Sequence, residues 1–181
     1  MTIEFLPARN KTSASLFGPG KRWETPRLFK LVVIHWTAGS FNSCLRWFQA
    51  PNNKRSSAHY VISELGKIVQ MVDEESVAWH AGISSWKDYP TYGNWNSLNP
   101  CSIGIELAGP PSCIGLKGWN EEQLDALVEL CRDIRIRMPD IKLIDHSRIC
   151  ATKIDVLKGT GYEEDLFPWG RLLSESGMIE A

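Results

Sequence analysis

Two histidines and one nearby carboxylate carry the first chemical signal in this chain. His35 closes the apolar run Leu31-Val32-Val33-Ile34, and His146 follows a similar stretch, Ile141 to Asp145. Asp155 comes soon after, in Lys153-Ile154-Asp155. Two imidazoles at strand ends and a carboxylate on a following loop match the donor set of a three-ligand zinc site. Such a site keeps a fourth position open for chemistry. A water bound there has its pKa brought toward ~7. Glu106 sits in the otherwise apolar Ser102-Ile103-Gly104-Ile105-Glu106-Leu107. A buried charged carboxylate is costly unless it meets a partner. Beside a metal-bound water it gains a use: it accepts the proton and passes it to a leaving amine. Lys153 would bring its ammonium near the metal, where it stabilises the oxyanion formed from an amide carbonyl.

Each residue alone also has an ordinary reading. A lone strand-end histidine is commonly a hydrogen-bonded structural residue. Glu106 could form an ion pair at a sheet rim, and Lys153 could be a solvated surface lysine. Cys150, between His146 and Asp155, is an alternative zinc ligand, or simply a small apolar residue.

The elements that must position these residues follow from the pattern. Residues 29–36 read as a central buried strand. Ser40 or Asn42 caps a short helix through Leu45, Trp47 and Phe48, ended by Pro51-Asn52-Asn53. Residues 58–63 and 68–72 form a hairpin turned at Glu64-Leu65-Gly66-Lys67. Residues 81–100 are a long loop, of the kind that usually carries function. Residues 101–107 form another strand. Asn120 with Glu121-Glu122-Gln123 caps a helix with the apolar face Leu124, Leu127, Val128, Cys131, Ile134 and Met138, stopped by Pro139. Residues 142–144 lead as a strand into His146, and residues 165–173 form a final short helix. The predicted class is α/β: one domain with a mixed central sheet flanked by helices. Residues 1–28 read as an irregular lead-in, 29–175 as the catalytic domain, and 176–181 as a tail.

Composition narrows the partners. The 181 residues suffice for one domain with a real core. The formal net charge is −1 and no basic block occurs, which disfavours nucleic acid. No signal peptide is visible at Met1 to Arg9, and no stretch reaches the ~18 apolar residues of a membrane span. The expectation is a monomer, cytoplasmic as synthesised, with no membrane partner. The five cysteines are odd in number and show no C-x-x-C spacing, which argues against a disulfide framework and against a zinc ribbon. Trp79, Trp86 and Trp95 lie in polar, Gly-rich sequence, where exposed rings stack on sugars or peptides.

Six ordered segments then bear on family. They are Leu-Val-Val-Ile-His-Trp-Thr-Ala-Gly, Ser-Ala-His-Tyr-Val-Ile, Ala-Trp-His-Ala-Gly, Ser-Ile-Gly-Ile-Glu-Leu, Asp-His-Ser-Arg-Ile and Lys-Ile-Asp. Together the chain resembles the zinc N-acetylmuramoyl-L-alanine amidases of the amidase-2 type. That group includes phage lysozyme-like amidases, anhydro-muropeptide recycling amidases and peptidoglycan recognition proteins. The resemblance covers about residues 29–173. It implies one Zn²⁺ held by His35, His146 and Asp155, with Glu106 as general base and Lys153 polarising the scissile carbonyl. It also implies hydrolysis of the amide between the muramic acid lactyl group and L-alanine, on peptidoglycan or muropeptides. An endolysin-type cell-wall hydrolase is the expected setting; a recycling amidase and a non-catalytic binder are the alternatives. Candidate substrate-binding residues are Trp36, Thr37, His59, Trp79, His80, Trp95 and Asn99. The segment Trp79-His80-Ala81-Gly82 is expected to line the cleft, and His59 to act as a hydrogen-bonding neighbour of the site. The chain departs from the pattern at Cys150-Ala151-Thr152, where many members have Ala-Pro-Gly-Arg. It also lacks an arginine before the asparagine that leads into Ser-Ile-Gly-Ile-Glu.

Overall fold

The apolar run around Val33 forms strand β3 (Leu31–Trp36), buried through its first five residues. Strands β7 (Ser102–Leu107) and β8 (Lys142–Asp145) flank it, both parallel to it. Parallel strands covered on both faces read as continuous apolar runs, as Leu31 to Ile34 does. The structure, a computed structural model, describes residues 1–12, 29–53, 55–87, 97–109, 119–150 and 167–181.

The remaining described strands are β1 (Ile3–Phe5), β2 (Lys11–Thr12), β4 (Tyr60–Ile62), β5 (Ile68–Gln70), β6 (Val77–Ala78) and β9 (Ile179–Glu180). Seven of the nine described strands form one mixed sheet in the order β1-β5-β4-β7-β3-β8-β9, and β2 pairs with β6. The predicted hairpin is β4 with β5, antiparallel, and Gly66 in its turn has φ of 76°.

Both ends of the chain depart from expectation. Within the supposed irregular lead-in, β1 pairs in parallel with β5, and β2 pairs antiparallel with β6. Within the supposed tail, β9 extends the sheet beyond β8. Strands of two or three residues leave no periodicity to read; their order comes from partners distant in sequence.

Helices cover both faces. Helix α1 (Phe41–Gln49) is capped by Ser40, whose side chain accepts from the Ser43 N–H. It buries Cys44 and Phe48 in a cluster with Val61 and Val69. On the opposite face, helix α2 (Glu121–Arg137) packs Leu124, Leu127, Cys131 and Ile134 with Ile103, Ile105 and Leu107 of β7. Burying each such side chain contributes about 1.5–3 kcal/mol. Glu121 and Glu122 open α2, and Arg135 and Arg137 close it, matching the helix dipole. Asn120 stands at the expected cap position, but its side chain donates to the Glu64 carbonyl rather than closing the cap. A short helix α3 (His146–Ile149) follows β8 directly. Helix α4 (Trp169–Ser176) packs on α2 and ends at Gly177, with φ of 70°. Among the described residues, no helix is long and apolar enough to cross a membrane.

Candidate metal and catalytic site

The site grows from the carboxyl ends of three parallel strands, where open α/β sheets commonly bind ligands. Register does the first part of the work. His35 on β3 pairs with Glu106 on β7, so both side chains leave the same face of the sheet. On the other flank Ile34 pairs with Asp145, the last residue of β8, and His146 follows it as the first residue of α3. The Asp145 carboxylate accepts the Ser147 N–H at 2.8 Å and turns the chain into α3 at that point. His35 therefore stands between Glu106 and His146.

The two imidazoles meet. Nδ1 of His35 lies 2.9 Å from Nδ1 of His146, and the rings are 2 % and 3 % exposed. Two nitrogens this close share one proton or grip one cation. A tetrahedral zinc with bonds of about 2.0–2.1 Å spaces its ligand nitrogens about 3.3 Å apart. The pair is a few tenths of an ångström tighter than that edge, and neutral imidazole nitrogen suits zinc. These donors fit the metal. Asp155 and Lys153 lie outside the described residues. Among those described, no group of three His, Cys, Asp or Glu side chains is arranged to hold a metal. Cys150 is buried and sits at the end of α3, where its N–H bonds the His146 carbonyl.

The other predicted residues divide. Glu106, half-buried, lines a cavity of about 390 Å³ together with Trp36, Thr37, Cys44 and Trp47. Trp36 Nε1 donates to the Gly109 carbonyl at 2.5 Å, and Thr37 Oγ1 to the Gly39 carbonyl at 2.6 Å. His80 Nδ1 lies 2.9 Å from His35 Nε2. Asn99 Oδ1 accepts the N–H groups of His80 and Ala81 at 3.1 and 2.6 Å, so it holds the loop that carries His80. Half-buried Trp79 is tied to Ser57 by its own N–H and carbonyl. Trp95 lies outside the described residues.

His59 is wholly buried, and both its ring nitrogens are engaged within the fold. Nδ1 accepts the Gly104 N–H at 3.0 Å, so Nε2 donates to the Ser76 carbonyl at 3.2 Å. The His59 ring centroid lies 5.8 Å from that of His80, the ring that reaches His35.

Sequence reasoning did not single out Cys44 or Trp47 as site residues. Trp47 is 45 % exposed at the border of the α1 apolar stripe and also lines a second cavity, with Pro51, Asn52 and Arg55. A large aromatic at the edge of such a stripe was the available signal. Burial first, and the Glu106 charge second, push the Cys44 thiol far above its ordinary range.

Comparison with known proteins agrees with this geometry. A family model described as N-acetylmuramoyl-L-alanine amidase matches residues 25–157. The chain is 34% identical over 164 residues to the N-acetylmuramoyl-L-alanine amidase AmiD of Escherichia coli strain K12, covering 83% of this chain and 54% of AmiD. It superposes with a TM-score of 0.65 and 30% identity on E. coli AmiD in complex with the substrate anhydro-N-acetylmuramic acid-L-Ala-D-gamma-Glu-L-Lys, covering 94% of this chain and 66% of that one. A selenomethionine derivative of AmpD, at 23% identity, shares the fold with a TM-score of 0.71 over 96% of this chain and 93% of its own. The chain spans about half the length of the curated relatives it matches.

Proposed function

The chain belongs to the N-acetylmuramoyl-L-alanine amidase family, and from that premise we propose that it hydrolyses the amide between N-acetylmuramic acid and the L-alanine of a stem peptide. The observation that carries this reading is the juxtaposition of His35, His146 and Glu106 at one end of three adjacent strands. A pure binding module has no need of a base beside a pair of metal-ready imidazoles.

We assign His35, His146 and Asp155 as the ligands of one zinc ion. When bound, zinc supplies Lewis acidity and a hydroxide available at neutral pH. Glu106 holds the attacking water, takes its proton, and delivers that proton to the departing alanine nitrogen. Lys153 donates to the carbonyl oxygen as negative charge builds there. The cavity beside Glu106 receives the substrate, with Trp36 and Trp47 offering flat apolar surface to a sugar or peptide.

Two substrate forms suit this site. Polymeric peptidoglycan suits an endolysin-type hydrolase, and the aromatic-rich stretch of residues 84–100 favours it. A soluble anhydro-muropeptide suits a recycling enzyme, and the substrate in the AmiD complex favours that. Release of stem peptide from intact sacculi, measured against cleavage of a soluble anhydro-muropeptide, separates them. Activity on the soluble compound alone removes the endolysin reading, and activity on neither removes the amidase.

A further inference from the structure

We propose that His80 is a positioning residue that fixes the tautomer of His35 and so reserves His35 Nδ1 for a cation. The proposal rests on the metal reading above. It adds a directed hydrogen-bond chain running Ser102–His80–His35.

The direction is set by an oxygen that cannot donate. Ser102 Oγ lies 2.7 Å from the carbonyl oxygen of Leu98, so its single hydrogen points there. Its lone pairs then face His80 Nε2, 3.1 Å away, and Nε2 must carry the proton. In a neutral ring that leaves His80 Nδ1 as an acceptor. Nδ1 faces His35 Nε2 at 2.9 Å, so His35 is protonated at Nε2 and bare at Nδ1. The bare nitrogen is the one turned toward His146. On His146, Nε2 faces the Ala81 carbonyl at 3.4 Å, which again favours a proton on Nε2 and a lone pair on Nδ1. Two lone pairs aimed at one point attract a cation.

The surroundings are built to hold the His80 ring in place. Ser102, Gly104 and Glu106 alternate onto the same face of β7. A Cβ at Gly104 would stand 2.4 Å from His80 Cγ, so the ring lies flat on glycine backbone. His80 is 8 % exposed, and Asn99 Oδ1 anchors its backbone. Neighbours that orient a metal-bound imidazole typically contribute 10–100-fold to metal affinity.

The test has two arms. In zinc-free protein at pH ~8, where free histidine is neutral, nitrogen NMR is expected to find His80 and His35 both protonated at Nε2. His80 protonated at Nδ1 would overturn the proposal whatever the metal content. In the second arm, chelator competition measures zinc affinity of the loaded protein. His80→Leu is expected to weaken it about 10–100-fold. His80→Asn, which keeps an acceptor near the Nδ1 position, is expected to stay close to wild type. Equal losses in both variants, or no loss in His80→Leu, sink the proposal. Wild-type protein that binds no zinc instead sinks the metal reading, and the NMR arm still judges the tautomer chain.

Discussion

Nδ1 of His35 and Nδ1 of His146 lie 2.9 Å apart, although 111 positions separate them in sequence. Nothing local brings them together; β3 and β8 do so by parallel pairing. Such a contact between two buried imidazoles is relieved best by a positive charge between them. His35→Ala and His146→Ala are each expected to abolish stoichiometric zinc and activity. Elemental analysis of the purified variants checks this, and full zinc content in either one removes that residue from the ligand set. Chelator treatment of the wild type is expected to stop turnover, and added zinc to restore it.

Glu106 stands on the rung beside His35, on the same face of the sheet, and lines the cavity there. Its proposed work is proton transfer, not metal binding. Glu106→Ala should therefore keep zinc while turnover falls by ~10²–10⁴, the usual contribution of a general base. Paired zinc analysis and kinetics test this. Wild-type rates would end its role as base, and loss of zinc would move it into the ligand set.

Cys44 shares that cavity with Glu106. Reactive cysteines react as thiolates, and here burial and then the Glu106 charge oppose ionisation. With the pKa raised, the thiol stays protonated through neutral and mildly alkaline pH. Alkylation of Cys44 in the folded protein at pH ~8 should be slower than in urea by on the order of tenfold or more. Glu106→Gln removes one of the two causes, so labelling should speed up. Peptide mapping by mass spectrometry reads both rates. Rapid labelling of the native wild type would contradict the burial of this thiol.

What was legible in the sequence was legible for local reasons. Val32 to Ile34 could only be a covered strand, and the polar residue that closes it stood out. The stripe Leu124, Leu127, Cys131 and Ile134 defined α2, and Gly66 marked the β4–β5 turn. Strands β1 and β9 were invisible because Ile3-Glu4-Phe5 and Ile179-Glu180 gain their order from β5 and β8, not from themselves. The histidine network was half visible. The sequence offered four histidines without saying which rings touch. It pointed to His59 as a hydrogen-bonding neighbour of the site; that ring holds the Gly104 N–H and the Ser76 carbonyl, and the direct contact with His35 belongs to His80. The difference turns on the small side chains Ser102 and Gly104, whose importance lies in what they leave room for. Asp155 and Lys153 lie outside the described residues, so their placement is tested by metal content and kinetics.

Gly66 offers a prediction about the scaffold alone. Its φ of +76° is one that side-chain-bearing residues rarely adopt. A Cβ there would also stand 2.5 Å from the Glu122 carbonyl oxygen, which belongs to the backbone of α2 and cannot swing aside. Gly82 supplies the control: its φ is +55°, and among the described residues nothing lies within 4 Å of its would-be Cβ. Backbone strain of this kind costs about 1–3 kcal/mol at either position. Only at Gly66 does a steric clash with α2 add to it. Gly66→Ala should therefore lower the urea midpoint more than Gly82→Ala, with the m-value unchanged in both. Equal shifts would mean that the β4–β5 turn does not press on α2, and that α2 reaches its place against β7 without the glycine.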